Sequence, residues 1–437
     1  MVLRRLQRRN IVFHVLVFTP ILLFWAAIVA SLERTPLTGR WRLILLSPEE
    51  EDEISAQLAG PGWYHAVGEI LAQPEPPHLL PQSDWRFIWV RDTLRHLESV
   101  VPLLQHEDAL VPAWVDRGSS DLPFPPPAEY PLRPRPRGTE FLRRFCEVTS
   151  ARPVHPVPHA IPGPPYSLII VDKPDSSNAF SYGFGPDGGG GIVVYSGFLE
   201  EVLSSAGLQD SVESSLSPSP QNASWWRFIL GIFSPASAPP ASPPRPTPDQ
   251  TAELAVLLSH ELAHLVLSHH LETLSSATIV IPGILSMVAD VVRALLFPVT
   301  MLFGPFVNDA VANLGKVGSG DLVKLGEYCT SMKQEIEADV VSARLLAHAG
   351  FDARRAVDFW ETRQESSQTA ECSLSTAEKK LGQRQGQTHT NYGRLAMLMA
   401  GSDHPQTEVR IGKLKGELER WGAERERMIK LSPPSRQ

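Results

Sequence analysis

His260-Glu261-Leu262-Ala263-His264 places two imidazoles four residues apart, with a carboxylate beside the first. On an α-helix, positions i and i+4 lie on one face, one turn apart. Two imidazoles so placed can bind one Zn2+ at about 2.0–2.1 Å. Glu261 then stands where a carboxylate reaches a water at the metal without ligating it, which is the position of a general base. The plain alternative is a chance match, or a histidine pair capping a core. The surroundings favour chemistry. Thr247 suits an N-cap, Pro248 the first helical position, and Gln250 completes a capping box. Apolar residues at 254, 257, 258, 262 and 265 keep helical spacing, which predicts a helix buried on one side.

A catalytic zinc takes three protein ligands and keeps one position open. His270 follows His264 at the spacing of HExxHxxGxxH enzymes, but Leu267 stands where a glycine would turn the chain. Leucine is a good helix former, so the helix is expected to run on and carry His270 out of reach. The other candidate is Glu335, in Glu335-Ile336-Glu337-Ala338-Asp339. It falls on a second predicted helix, KQEIEADVVSARLLAHAG, with Asp339 on the same face. There Glu335 can ligate while Asp339 holds a neighbouring imidazole by hydrogen bond. Ala338 leaves room for close helix contact. Read alone, the same acids make a solvated face, and Glu337 is assigned to that role. His269, His270 and His389 read as surface or core histidines.

SLIIVDKP at 167–174 predicts a strand. GGGGIVVYSGFL at 188–199 predicts a turn, a β-branched strand and a helix start. The strand near 192–195 is taken as a sheet edge able to pair with an extended peptide. Residues 38–60 read as a short exposed segment leading into a helix, with Ser47 as cap and Pro48 at its first position. Residues 103–137 are Pro-rich and aperiodic, the pattern of a linker or surface excursion. Residues 205–246 are a Pro/Ser-rich insertion, and WWRFILGIF at 225–233 reads as a docked loop within it. Beyond 248 the chain reads as mostly helical. The apolar stretch 277–307 is broken by Pro282, Asp290, Arg293 and Pro298, which favours buried or membrane-lying helices over a spanning one.

Residues 11–32 are apolar apart from His14 and a few hydroxyls. As a helix they measure about 33 Å, enough for a hydrocarbon core of about 30 Å. Arg4, Arg5, Arg8 and Arg9 precede them, and no acid occurs before Glu33. This pattern predicts a retained single-pass anchor with the rest of the chain on the far side of the basic flank. A cleaved signal peptide would be shorter and would end in small residues. The basic, acid-free leader also fits part of a mitochondrial address.

Composition excludes other classes. The chain has 437 residues, 43% hydrophobic and 20% charged, which is the balance of a globular protein. Its 40 prolines are nearly twice ordinary usage and belong to the loops. A net charge of -8, with no basic stripe, argues against nucleic acid as a partner. Cys146, Cys329 and Cys372 are odd in number and far apart, so neither a cysteine zinc site nor a disulfide framework is supported. Asn222-Ala223-Ser224 is a glycosylation triplet of a kind common by chance.

HELAH followed by EIEAD resembles the HtpX and CAAX-prenyl-protease family of zinc metallopeptidases, whose second motif is ExxAD with its Glu as third ligand. TGRWRLILLSPEEE, Asn178-Ala179-Phe180, GGGGIVVYSGFL and HPQTEVRIGKL at 404–414 resemble segments of the mitochondrial Oma-type metalloendopeptidases within it. The resemblance spans about 38–60 and 140–420. It implies one zinc held by His260, His264 and Glu335, with Glu261 as base, and it puts His404 and Arg410 near the active site. There a cation can steady a substrate carbonyl or its oxyanion. The implied fold is α+β and mostly helical, a gluzincin-like HExxH peptidase domain with a small edge sheet, behind one transmembrane helix. The implied organisation is an anchor over 1–37, a helical segment and linker over 38–139, the peptidase domain over 140–425 and a disordered tail over 426–437. The implied substrates are inner-membrane proteins, cut from the intermembrane space, and a homo-oligomer is compatible with this. The alternatives are a catalytically silent anchored scaffold, a CAAX-type enzyme with several spans, or a quality-control protease of another membrane.

Overall fold

The computed structural model describes residues 31–46, 48–72, 76–107, 122–133, 163–204, 246–276, 332–374 and 408–431, with Trp114 and scattered positions between 11 and 29. Two small sheets lie among helices, an α+β arrangement. β1 (Leu32–Arg34) and β2 (Trp41–Leu43) form an antiparallel hairpin. β3 (Ser167–Val171), β4 (Ala179–Gly183) and β5 (Gly190–Tyr195) form a three-stranded sheet in the order β3-β5-β4. β5 runs parallel to β3 and antiparallel to β4.

Side chains alternate across a strand. Leu168, Ile170, Ile192 and Val194 therefore enter the main core, while Ile169, Val171, Phe180 and Val193 pack on Trp63 and Val67 of the helix Pro61–Leu71. Both faces are covered, which accounts for the unbroken apolar runs of β3 and β5. At Gly191 this packing leaves no room, since a Cβ there would lie 2.5 Å from both the Trp63 ring and the Ser167 carbonyl oxygen.

The sheet order corrects the expected edge at 192–195. β5 is the central strand, with both sides of its ladder occupied. Strand order depends on pairing partners remote in sequence, and the local glycine-strand pattern carries no record of it. The outer side of β3 is also taken. The Leu80 amide donates to the Ile170 carbonyl at 2.9 Å, and the Asp172 amide donates to the His78 carbonyl at 2.8 Å. β4 forms the opposite margin, beside the helix Pro248–Val266.

That helix starts as its sequence predicts. The Thr247 amide donates to Gln250 Oε1 at 2.8 Å, and the Gln250 amide donates to Thr247 Oγ1 at 3.2 Å. It packs on the helices Trp85–Glu98 and Arg355–Leu374, and its Leu254, Leu258 and Leu262 share a core with Ala338, Val341 and Leu345 of helical residues 332–348. Its end differs from expectation. The helix stops at Val266, Ser268 takes a left-handed backbone (φ 54°, ψ 44°), and a new helix runs His269–Ser275. Such a backbone costs an ordinary residue about 1–2 kcal/mol. Arg42 of β2 donates to the Leu267 carbonyl and so satisfies a group that the broken helix leaves open.

Three further expectations change. Residues 38–60 are not simply an exposed lead-in, because Arg42 and Ile44 are buried and the hairpin is bonded to the core. The described part of 103–137 is no free linker. Glu107 pairs with Arg344 at 2.8 Å, Arg344 donates to the Pro126 carbonyl at 2.8 Å, and the Ala128 amide donates to Glu107 Oε2 at 2.7 Å. Proline-rich chain lacks periodicity, yet its carbonyls still accept. The tail expected from 426 is helical through Leu431, with Lys430 and Glu426 one turn apart. Among the described residues no helix is long and apolar enough to cross a membrane. The described positions between 11 and 31 are helical, and Val12, Phe18, Leu22 and Trp25 among them are exposed. Ser47, Cys146, Cys329, 225–233, 277–307, His389 and the glycosylation triplet lie outside the described residues.

Candidate metal centre

The two motif helices bring His260, His264 and Glu335 together, each fully or nearly buried. His260 Nε2 lies 3.2 Å from His264 Nε2 and 3.3 Å from Glu335 Oε2, and His264 Nε2 lies 3.5 Å from Glu335 Oε1. Four ligands at about 2.0–2.1 Å in a tetrahedron stand about 3.3 Å apart. Each spacing matches that of neighbouring ligands in a zinc tetrahedron, with one Glu335 oxygen turned to each imidazole, and two imidazoles with a carboxylate are a donor set for zinc that leaves a fourth position open. The residues fit the ion that the sequence implies.

His260 and Glu335 are held from behind. Asp339 Oδ1 faces His260 Nδ1 at 3.0 Å, which turns Nε2 toward the centre. Arg410 donates from Nε to Asp339 Oδ2 and from Nη2 to Asp339 Oδ1, both at 2.8 Å, and its Nη1 lies 3.0 Å from Glu335 Oε2. Its guanidinium also lies over the Trp360 ring at 4.8 Å, and that ring meets His260 edge-on at 5.0 Å. Arg410 comes from the helix Glu408–Leu431 and is buried, so it is no surface arginine. Its guanidinium faces carboxylates rather than open space. This geometry suits holding Glu335 and Asp339 more than reaching a substrate oxyanion.

Charge follows the same pattern. Burial alone would raise the Asp339 carboxyl, but the charge and hydrogen bonds of Arg410, with those of His260, hold it below the usual carboxylate range. Burial alone would lower His260, but hydrogen bonds to Asp339 and Glu335 outweigh it and raise the imidazole. Glu261 is buried in the turn between the two histidines of the motif.

His270 is carried away from the three ligands, though not by a continuing helix. Its Nε2 meets Ser181 Oγ of β4 at 3.2 Å. His404 lies outside the described residues. Glu337 is no solvated acid. It is buried, accepts from the Thr38 hydroxyl and pairs with Arg40 at 2.7 Å. Burial would raise its carboxyl, yet His269 and Arg40 pull it down to about 2. His269 is a core histidine that touches His264. Arg40, Glu337, His269 and Trp360 are thus site neighbours that sequence reasoning left without a role. Only Arg40 had a signal, since it lies in the TGRWRLILLSPEEE segment, and that segment gave no partner for it.

No curated protein matches the chain. The model of peptidase family M48 matches residues 154–418, more than half of the chain, and spans both motifs and Arg410. The buried His-His-Glu cluster and this match lead to one conclusion, that the chain belongs to peptidase family M48 and is a metallopeptidase.

Proposed function

We propose that this protein is a membrane-anchored zinc metalloendopeptidase that hydrolyses peptide bonds of membrane proteins, in quality control at the mitochondrial inner membrane. The observation that carries the chemistry is the buried cluster of His260, His264 and Glu335, whose contacts of 3.2, 3.3 and 3.5 Å match the spacing of neighbouring ligands about tetrahedral zinc. Zinc bound there supplies a Lewis acid for the scissile carbonyl and acidifies water. Glu261 takes a proton from the attacking water as its oxygen bonds the carbonyl carbon. It returns that proton to the amine nitrogen as the carbon–nitrogen bond breaks. Asp339 keeps the His260 ring in its ligating orientation, and Arg410 holds the Glu335 carboxylate. An extended substrate finds its place along β4, the margin strand beside the motif helix.

The anchor reading rests on the apolar run 11–32 behind four arginines, and on apolar side chains exposed along its helical positions. The mitochondrial assignment rests on the resemblance of TGRWRLILLSPEEE and HPQTEVRIGKL to Oma-type enzymes. The test is purified full-length protein with an unfolded membrane-protein substrate, alongside imaging of a tagged chain in cells. Cleavage that a chelator stops and added zinc restores, with the tag in mitochondria, is the expected result. A zinc-loaded chain that cuts nothing sinks the peptidase reading, and a tag on another membrane sinks the mitochondrial one.

A further inference from the structure

A line of side chains runs from the hairpin to a metal ligand. His264 Nε2 faces the other two ligand atoms, so its lone pair belongs there and the neutral ring carries its proton on Nδ1. That Nδ1 lies 2.9 Å from His269 Nδ1. A hydrogen bond between them requires a bare Nδ1 on His269, which puts the His269 proton on Nε2. Nε2 lies 3.4 Å from Glu337 Oε2, where the N–H dipole of a neutral ring meets the carboxylate without a well-formed hydrogen bond. Glu337 is held in turn by Arg40 at 2.7 Å and by the Thr38 hydroxyl. Arg40 also forks onto Glu272 at 2.7 and 2.8 Å, on the same short helix as His269. Thr38 and Arg40 lie between β1 and β2, directly after the apolar positions 11–31.

Resting on the metallopeptidase reading, we propose that Arg40, Glu337 and His269 are positioning residues for the ligand His264, so that docking of the hairpin sets the affinity and geometry of the zinc site. Sequence separates the parts widely, and each is silent alone. His269 fixes which nitrogen of His264 is free. Glu337 fixes which nitrogen of His269 is bare. Arg40 fixes Glu337 from the hairpin. A lysine at 40 reaches one carboxylate where arginine reaches two.

The test uses the full-length chain, with zinc affinity read by chelator competition and coordination read from the visible absorption of the cobalt-substituted protein. His269→Ala and Glu337→Gln are expected to weaken zinc about 10–100-fold and to shift the cobalt band, and Arg40→Lys to do so by less. The double variant His269→Ala/Arg40→Lys is expected to bind zinc no worse than His269→Ala alone, because arginine acts through histidine. Multiplying losses with an unchanged cobalt band would mean a merely structural role and overturn the proposal. Unchanged zinc affinity in Glu337→Gln, an isosteric variant that keeps its fold, overturns it as well. A wild-type chain that binds no zinc sinks the metallopeptidase reading itself. A wild type that binds zinc, beside a His269→Ala variant that binds it equally well, sinks only this inference.

Discussion

Glu261→Gln is expected to keep its zinc and to lose about 10²- to 10⁴-fold in kcat. The amide has the shape of the carboxylate and no proton-accepting oxygen of comparable basicity. The side chain is fully buried on the helix turn that carries His260 and His264, so a change of shape there would disturb that turn, whereas the amide keeps the packing. Metal content and kinetics must be read on the same preparation. Lost turnover with zinc in place and KM little changed means that a group acting only in the transition state was removed. Full turnover in the zinc-loaded variant would move the base elsewhere. Retained cellular function in the inactive variant would favour the anchored scaffold.

The largest stability effect belongs to Glu107, far from the metal. Its carboxylate meets Arg344 at 2.8 Å and His348 at 3.1 Å, and it receives the Ala128 amide. Arg344 is almost wholly buried, so Glu107→Ala leaves its cation without its carboxylate in the core, a loss of about 3–5 kcal/mol. The sign with pH follows from the carboxyl. Burial pushes it up, but His348, Arg344 and the Ala128 amide together bring it below 4.5. A group lowered on folding stabilises fully above its unfolded pKa, and the contribution fades as pH falls through the folded one. Urea midpoints from pH 7 to pH 3 should therefore separate wild type from Glu107→Ala at neutral pH and converge in acid. Equal midpoints at pH 7 would show that the Pro-rich segment is not held through this pair.

The centre was legible because its information is local. His260, Glu261 and His264 need only helical periodicity, and the caps at Thr247 and Gln250 are read from four consecutive residues. Glu335 and Asp339 follow from the same i, i+4 rule, and resemblance joined the two helices. What local reading missed depends on remote partners. Glu337 looks like any surface acid until Arg40 from the hairpin folds against it. Leu267 looks like mid-helix until Arg42 takes its carbonyl. The strand at 190–195 looks like an edge until β3 and β4 are paired on its two sides. Arg410 could be placed near the site, while its fork onto Asp339 fixes it as a support for the ligands.

Whether His260, His264 and Glu335 together hold one ion is decided by the zinc content of purified Glu335→Ala, set beside His260→Ala and His270→Ala. Glu335→Ala and His260→Ala are expected to emerge without metal, and His270→Ala to keep one ion per chain. Zinc retained by Glu335→Ala would contradict the shared site, since the carboxylate now placed against both imidazoles would then be no ligand at all.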